Sequence, residues 1–252
     1  MKFSVITVCR NAEKDIAATI ESVLSQQGVE IEYLIIDGQS TDRTMSIVSG
    51  YKKRLAKVVS EPDQGIYDAM NKGARLAQGD VLLFLNAGDR LTDAATLQAV
   101  AATFGDARTE LVYGDVNQID SDGDRSVVRF DHVNRWFLAD TTICHQSTFV
   151  SRRLFERVGP YNTAYKIAAD YDWLLKAIFK ERAVTKHLRV IVCDFSMAGV
   201  SNSADQRQQV LKEYDQISEH YFSSILIGGK RLYRSMLRIG ASLYRLFRRP
   251  TI

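Results

Sequence analysis

The sequence has few cysteines, few prolines and no long apolar run. Its 252 residues include 3 Cys (Cys9, Cys144 and Cys193), 3 Pro and 15 Gly. Three scattered cysteines without a C-x-x-C pair exclude a disulfide framework and a structural zinc site, and they favour a reducing compartment. No stretch reaches the roughly 18–20 apolar residues that a membrane span needs. Because proline is scarce, we expect regular secondary structure rather than long irregular loops.

The remaining composition is that of an ordinary globular protein with an uneven charge distribution. Hydrophobic residues make up 46% of the chain and charged residues 25%, which excludes disorder as the main state. Residues 221–252 carry seven basic and no acidic side chains, which leaves 26 basic against 30 acidic residues in 1–220. This split points to a partner surface for the basic segment. The chain opens on a strand-like run without a signal-peptide pattern, so a cytoplasmic body is expected.

Strand-like and helical patterns alternate over the first ~115 residues. The strands predicted there are Phe3–Val8, Glu32–Asp37, Lys57–Ser60 and Asp80–Leu85. The helices predicted between them include Asp15–Gln27 and Ile66–Ala77. This alternation predicts an α/β fold whose mostly parallel sheet is covered on both faces by helices.

The second half of the chain is less regular. The strands predicted there are Leu111–Val116, Val127–Phe130, Cys144–Val150 and Arg189–Phe195. The helices predicted there are Arg152–Val158, Asp170–Lys180 and Asp205–Tyr221.

Polar residues follow each of the first four predicted strands, where the ligands of an open α/β sheet bind. They are Asn11 after the first strand, Asp37, Ser40 and Asp42 after the second, Asp63 after the third, and Asn86 and Asp89 after the fourth. Ser40 or Asp42 alone is typical of a helix cap, but four such strand ends together predict a ligand site. Neither G-x-G-x-x-G nor G-x-x-x-x-G-K-[ST] occurs, so a dinucleotide fold and a P-loop are excluded. Asp89, across from Asp37, is therefore expected to neutralise a phosphate through Mg²⁺ or Mn²⁺.

Seven short motifs occur in order along residues 3–201. They are TVCRN at 7–11, DGQSTD at 37–42, EPDQGIYDAMNKG at 61–73, FLNAGD at 84–89, HQS at 145–147, AADYD at 168–172 and FSMAGVS at 195–201. Together they resemble the successive motifs of family 2 inverting glycosyltransferases, which have the Rossmann-like GT-A fold. Within that family the chain is most similar to bacterial exopolysaccharide enzymes of the colanic-acid type.

The resemblance implies roles for the matching residues. Asp37 would accept hydrogen bonds from the nucleotide base, Asn11 and Asp63 would line the nucleoside pocket, and Asp89 would hold the metal that bridges the diphosphate. Asp170 would be the general base that takes the proton from the acceptor hydroxyl. A single displacement then inverts the configuration, so an α-linked donor gives a β-linkage. The other donor-binding candidates are Thr7, Ser40, Tyr67, Asp68, Asn71, Lys72, Asn86 and His145.

The chain departs from the family pattern in two places. Asn86 and Gly88 stand where aspartates are common, so Asp89 is the one carboxylate left in that motif. Metal-dependent and metal-independent catalysis both stay open. Ala169 stands where an acidic residue is common, and Asp172 is a rival base. We favour Asp170, since Asp172 would point about 200° away on a helix.

Several side chains have a structural alternative to a functional role. His145 contacts the diphosphate or acceptor, or is a structural polar group at a strand start. Asp68 contacts the donor sugar, or is a favourable charge at a helix N-terminus. Trp173 stacks on a sugar ring or packs in the core, and we favour the core. The cysteines have no neighbouring groups that would make one a nucleophile.

The basic C-terminal segment has a strongly amphipathic helical pattern. At 100° per residue, its apolar side chains fall within an arc of about 100°, and its arginines fall within an equally narrow arc on the other side. The apolar set is Leu232, Met236, Ile239, Leu243, Leu246 and Phe247. This segregation predicts a helix that lies in the plane of an anionic membrane surface. The alternative is a solvated helix packed on the body or on a second copy.

The sequence therefore predicts a GT-A domain at 1–222 and a membrane-associating helical tail at 223–252. Within the domain, 1–115 would bind the nucleotide sugar and 116–222 the acceptor. The expected function is an inverting hexosyltransferase at the inner membrane, using a UDP-linked donor and a polyprenyl-diphosphate-linked saccharide acceptor in bacterial exopolysaccharide biosynthesis. The alternative is a catalytically weak sugar-nucleotide-binding subunit of a polysaccharide assembly complex. A nucleotidyltransferase would need a basic glycine-rich loop near the N-terminus, and the sequence has none. No nucleic-acid partner is expected. Homo-oligomerisation stays open.

Overall fold

The computed structural model describes residues 1–120, 122–139, 141–196, 206–229 and 232. Its strands are β1 (Lys2–Cys9), β2 (Glu30–Asp37), β3 (Lys57–Ser60), β4 (Val81–Phe84), β5 (Arg90–Leu91), β6 (Leu111–Ile119), β7 (Arg125–Val128), β8 (Thr148–Ser151) and β9 (Thr185–Ser196). Its α-helices are α1 (Ile16–Leu24), α2 (Thr44–Gly50), α3 (Ile66–Leu76), α4 (Thr96–Thr103), α5 (Arg135–Leu138), α6 (Arg152–Val158), α7 (Ala169–Leu175) and α8 (Arg207–Tyr221).

Within the described residues the strands form one mixed sheet in the order β3-β2-β1-β4-β8-β6-β9-β5, with β7 paired to β6. The first four strands pair with one another in parallel, which gives the α/β arrangement expected from the alternating pattern. β8 runs antiparallel to both β4 and β6, whereas β9 runs parallel to β6. The parallel part of the prediction therefore applies to the first half, and the second half adds mainly antiparallel pairs.

Residues 145–147 differ from the predicted strand Cys144–Val150. They form a 3₁₀ turn, and β8 begins only at Thr148. The reason is local, because the Cys144 carbonyl accepts hydrogen bonds from the Ser147 N–H and from the hydroxyls of Ser147 and Thr148, at 2.9–3.0 Å. The turn directs the His145 side chain toward the sheet edge instead of placing it within a strand.

Other differences concern elements with weak sequence patterns. β5, α4 and α5 were not predicted, and the predicted helix Asp170–Lys180 divides into α7 and a π-helical turn at Lys176–Lys180. Residues 197–201 of the last motif, and most of the predicted tail at 223–252, lie outside the described residues. Across the residues that are described, no helix combines the length and the apolar content needed to cross a bilayer.

The central strands are buried on both faces. Phe3, Val5, Ile6, Ile35 and Leu83 have no exposed surface. α3 packs closely on this sheet at Gly73, where a Cβ atom would lie 2.3 Å from the Ile6 Cγ2 atom. The close approach sets the position of the first turn of α3 relative to the ends of the strands.

A buried carboxylate, Glu32, lies at the opposite end of the sheet, where β1 and β2 begin, and joins several groups there. Glu32 accepts hydrogen bonds from the Ser4 hydroxyl at 2.5 Å and from the Gln78 N–H at 2.6 Å, and Lys2 Nζ lies 3.5 Å away. Burial raises the pKa of Glu32, but these donors outweigh it and hold the pKa below its ordinary value. Ionised Glu32 therefore stabilises the native state.

Replacing Glu32 with Gln should lower the free energy of unfolding at pH 7 by about 1–3 kcal/mol, because buried donors lose an ionised acceptor. Since the pKa is depressed on folding, this contribution is full above the unfolded pKa of about 4.3 and is lost as the pH falls from there through the lower folded pKa. Urea unfolding of wild type and Glu32→Gln at pH 7 and at about pH 3 measures both effects. Glu30→Gln, the same change at a 71% exposed side chain, is the matched control. An equal loss in both variants would contradict the role of Glu32.

Candidate active site

The ends of β1, β2 and β3 meet in a polar cluster around Asp37. This carboxylate is fully buried and accepts hydrogen bonds from the Ser40 hydroxyl, the Ser40 N–H at 3.0 Å and the Ser60 hydroxyl at 2.6 Å. The Asn11 N–H donates to Ser40 Oγ at 2.8 Å. Asp37 therefore holds the loops of this edge together, and a base could reach its carboxylate directly only if one of these hydroxyls moved.

Two loop residues in this cluster have left-handed backbone conformations. Asn11 has φ of 52° and Gln39 has φ of 58°, which is uncommon for residues other than glycine. The Asn11 side chain stabilises this arrangement by accepting the Thr41 N–H at 2.9 Å. Such local strain is typical of functional loops.

Asp63 approaches the same cluster from the end of β3. A Cβ atom on Gly38 would lie 2.2 Å from Asp63 Oδ2, so a larger residue there would displace the Asp63 carboxylate. The structure thus brings Asn11, Asp37, Ser40 and Asp63 together, as the strand ends predict. Asp42 acts as a local cap by accepting the Thr44 N–H at 2.9 Å, whereas Ser40 does not cap α2.

An ion-pair network surrounds the first turn of α3. Lys72 Nζ lies 3.1 Å from Glu61, 3.4 Å from Asp68 and 2.7 Å from the Pro62 carbonyl. Asp68 accepts the Gln64 N–H at 3.1 Å, and this bond, followed by Lys72, lowers the pKa of Asp68. Both side chains brace the loop that carries Asp63.

Two of the predicted donor-binding residues lie inside the protein instead. Thr7 is fully buried, and its hydroxyl lies 2.9 Å from the Tyr33 hydroxyl. Asn71 is 5% exposed, and its amide both donates to and accepts from the backbone of Tyr161 at 2.9 Å. These contacts are internal to the protein, and donor binding by Thr7 and Asn71 stays a prediction.

Asp170, at the start of α7, is the centre of a second cluster. Its Oδ1 atom accepts hydrogen bonds from the Tyr67 hydroxyl and from the Tyr171 N–H, both at 2.9 Å. Its Oδ2 atom lies 3.1 Å from His145 Nδ1, and His145 Nε2 lies 3.0 Å from the amide nitrogen of Asn86. Tyr67, Asn86 and His145 were predicted to bind the donor, and the structure connects all three to the predicted base.

This chain of contacts fixes the chemistry of each member. An amide nitrogen only donates, so His145 Nε2 accepts and the ring proton lies on Nδ1, from which it is donated to Asp170. Burial, followed by the nearby Asp170 charge, raises the pKa of Tyr67 well above its ordinary value. The phenol therefore stays protonated as a donor. Asp172 lies elsewhere, with its Oδ1 accepting the Tyr221 hydroxyl at 3.1 Å, which supports the preference for Asp170.

Asp89 is a buried carboxylate beside this cluster. It is 4% exposed and accepts the Ser196 N–H at 3.3 Å. Burial raises the pKa of Asp89 to about 6, while hydrogen bonds from Gln146 and from the Ser196 N–H oppose the shift. In the described residues, no group of three or more His, Cys, Asp or Glu side chains is arranged to hold a metal ion.

The turn after β4 nevertheless offers oxygen donors of the kind that Mg²⁺ and Mn²⁺ prefer. Asn86 Oδ1 is buried and has no hydrogen-bond partner, a costly state for a polar atom. Asp89, three residues on, supplies the carboxylate. These two donors fit a divalent cation that keeps several waters or phosphate oxygens as its other ligands.

Two residues at the site were not found from the sequence. Ser60 donates a hydrogen bond to Asp37. Its position as the last residue of β3, beside the end of β2, could have indicated a place in the site. Gln146 donates a hydrogen bond to Asp89, and in the sequence only its place next to His145 could have indicated a role at the site. Trp173 lies in the core as favoured, donating to the Gly159 carbonyl at 2.8 Å and stacking on Phe155. The three cysteines are free thiols.

Known proteins are similar to this chain in sequence and in architecture. A family model described as "Glycosyl transferase family 2" matches residues 4–208. A PGL/p-HBAD biosynthesis glycosyltransferase of Mycobacterium bovis is 37% identical over 206 residues, covering 80% of this chain and 79% of the relative.

Two solved structures resemble the fold. TarS of S. aureus, also solved with UDP-GlcNAc, superposes with a TM-score of 0.66 at 22% identity, covering 78% of this chain and 60% of its own. The mannosyltransferase PcManGT from Pyrobaculum calidifontis, in complex with GDP-Man and Mn²⁺, gives a TM-score of 0.67 at 18% identity, covering 96% of this chain and 79% of its own. The matching family model, the identity to a named transferase and the shared GT-A architecture lead to one conclusion: this chain belongs to glycosyltransferase family 2.

Proposed function

We propose that this chain is an inverting hexosyltransferase in which Asp170 is the general base. The observation that carries the proposal is the placement of the Asp170 carboxylate. It is held by Tyr67, His145 and its own helix N-terminus, beside the strand-end turn that contains Asn86 and Asp89. A general base needs a fixed orientation, which these contacts provide, and a neighbouring substrate site, which we propose at the turn of Asn86 and Asp89.

In the proposed reaction, Asp170 takes the proton of an acceptor hydroxyl as the hydroxyl oxygen attacks the anomeric carbon. The new oxygen–carbon bond forms while the bond from that carbon to the nucleoside diphosphate breaks, so the configuration inverts and no protein nucleophile is needed. The Tyr67 hydroxyl and the His145 Nδ1–H each bond a different carboxylate oxygen, which leaves the remaining lone pair of Oδ2 for the acceptor. An α-linked donor would give a β-linkage.

We propose a UDP-linked sugar as the donor, with the nucleoside at the cluster of Asn11, Ser40 and Asp63. The complex of TarS with UDP-GlcNAc supports this assignment by analogy of fold. In this arrangement Asp37 shapes the pocket by fixing Ser40 and Ser60. Lys72 and Asp68 would act by bracing the loop that carries Asp63.

We also propose that Mg²⁺ or Mn²⁺ binds at Asp89 and Asn86. The unpartnered Asn86 Oδ1 atom supports this site, and PcManGT was solved with Mn²⁺. A bound cation would stabilise the negative charge that develops on the leaving diphosphate.

The acceptor is proposed to be a polyprenyl-diphosphate-linked saccharide at the inner membrane. Residues 223–252 would form the membrane-associating helix, residues 1–115 would bind the donor and residues 116–222 the acceptor. The segregated arginines of the tail sequence support this orientation toward anionic lipid. The pathway proposed is exopolysaccharide synthesis of the colanic-acid type, although the named mycobacterial relative belongs to PGL/p-HBAD biosynthesis.

The single carboxylate of the 84–89 motif favours one alternative, a sugar-nucleotide-binding subunit with little catalysis of its own. Replacing Asp170 with Asn removes the base and separates the two functions. UDP release from a UDP-sugar should fall by about 10²–10⁴-fold while UDP affinity, measured by calorimetry, stays unchanged. Asp172→Asn is the matched control and should retain most activity. Equal rates for wild type and Asp170→Asn would favour the binding subunit.

Nucleotides should stabilise the protein selectively. At a UDP concentration of 100 Kd the gain is about 2.7 kcal/mol, or a rise in Tm of about 5–10 °C for a domain of this size. Thermal unfolding with UDP and GDP, each with and without Mn²⁺, measures it. We expect UDP with Mn²⁺ to give the largest rise. A larger shift with GDP would contradict the proposed donor.

The arginines of the tail should control membrane binding. Reversing three of them (Arg234→Glu, Arg238→Glu and Arg245→Glu) should weaken binding to vesicles containing anionic lipid by roughly 100-fold, at about 1 kcal/mol per basic residue. The matched control reverses three exposed lysines of the body (Lys52→Glu, Lys53→Glu and Lys57→Glu). Sedimentation with vesicles measures both. Equal binding by the tail variant and wild type would refute the membrane role.

A further inference from the structure

A second buried carboxylate, Glu213 on α8, lies behind the proposed base. Glu213 is 6% exposed, and its two oxygens accept the backbone N–H groups of Lys166 at 3.0 Å, Ile167 at 2.9 Å and Ala168 at 3.0 Å. The Gln209 amide, one turn earlier on α8, donates to Glu213 Oε1 at 3.1 Å. The three backbone contacts span 45–47 residues of sequence, so they are tertiary rather than local.

The three N–H groups belong to the segment that leads directly into α7. The N-cap residue of α7 is Ala168, which has no side chain able to accept the free N–H groups of a helix start. Glu213, from another helix, accepts the N–H groups of the N-cap residue and of the two residues before it, and its negative charge suits a helix N-terminus. Burial raises the pKa of Glu213, but the three backbone donors outweigh it and hold the pKa below its ordinary value.

Two further contacts join α8 to the residues on the C-terminal side of Asp170. The ring of Tyr214 stacks on Tyr171, with centroids 4.4 Å apart and planes 10° apart. The Tyr221 hydroxyl donates to Asp172 at 3.1 Å. α8 therefore holds the chain before Asp170 through Glu213 and the chain after it through its tyrosines.

The segment held by Glu213 also touches the contacts of the base. The Ile167 carbonyl lies 2.6 Å from the Tyr67 hydroxyl, which in turn lies 2.9 Å from Asp170 Oδ1. A shift of residues 166–168 would therefore move both the helix that carries the base and a hydroxyl that orients it.

We propose that Glu213 is a positioning residue for Asp170, an inference that rests on the proposed role of Asp170 as the base. Glu213 fixes the backbone of residues 166–168, and through it the first turn of α7, so that the Asp170 carboxylate stays between Tyr67 and His145. Displacement of a catalytic group by about 1 Å can cost about 10²-fold in rate.

The test is a double-mutant cycle between Glu213 and Asp170, read in UDP release and in UDP affinity. Gln has the shape of Glu but one acceptor oxygen, so Glu213→Gln leaves backbone donors unpaired. We expect it to lower turnover by about 10–100-fold with UDP affinity unchanged. In the Asp170→Asn background the same change should cost nothing further, because Glu213 acts only through the base. Glu219→Gln, the same change at an exposed position of α8, is the matched control.

Each result has a defined meaning. An equal loss from Glu213→Gln with and without Asp170 would overturn the positioning role. If Asp170→Asn is inactive, unchanged turnover of Glu213→Gln in the wild-type background would also overturn it. Full activity of Asp170→Asn alone would overturn the proposed function and this role with it. If Glu213→Gln does not fold, Gln209→Ala, which removes one support of the Glu213 carboxylate, is placed in the same cycle. A smaller loss that depends on Asp170 is then expected, and an independent loss overturns the proposal.

Discussion

The Asp170 carboxylate is the contact on which the organisation of the site depends. One of its oxygens is bonded by Tyr67 from α3, in the first half of the chain, and the other by His145, which is itself bonded to Asn86 after β4. Burial of a charged group is tolerated only when hydrogen bonds replace its water. The same bonds that satisfy this carboxylate therefore join the parallel half of the sheet to the antiparallel half. The uncharged Asn71 amide, on α3, adds a further link between the two halves by bonding the backbone of Tyr161.

The buried acids of the molecule differ in what satisfies them, and their chemistry differs accordingly. Asp37 is surrounded by serine donors, and Glu213 by backbone N–H groups. Asp89 accepts a 3.3 Å bond from the Ser196 N–H and one from Gln146, but burial still raises its pKa to about 6. Asp37 and Glu213 thus have their hydrogen bonds within the protein, whereas Asp89 would gain from an added positive charge. This difference places the metal site proposed here at Asp89 rather than at Asp37.

Much of the fold and part of the site follow from the sequence. β3 and α6 have the bounds that the apolar runs and the Gly159-Pro160 stop predict, and the polar groups after the first strands do meet at one edge. The remaining features come from contacts that periodicity does not encode. A carbonyl with three donors turns residues 145–147 out of the predicted strand, and Thr7 and Asn71 bond partners 26 and 90 residues away. Glu213 could not be singled out, because nothing in a polar helix shows which backbone it will meet.

The position of α8 in the chain has a consequence for biosynthesis. The loops around Asp37 are built from residues 9–65 and can close soon after they leave the ribosome. The backbone N–H groups of residues 166–168, in contrast, bond the Glu213 carboxylate, which is synthesised about 45 residues later. A growing polypeptide would thus complete the proposed nucleotide-binding cluster early, and the backbone support of the proposed base late.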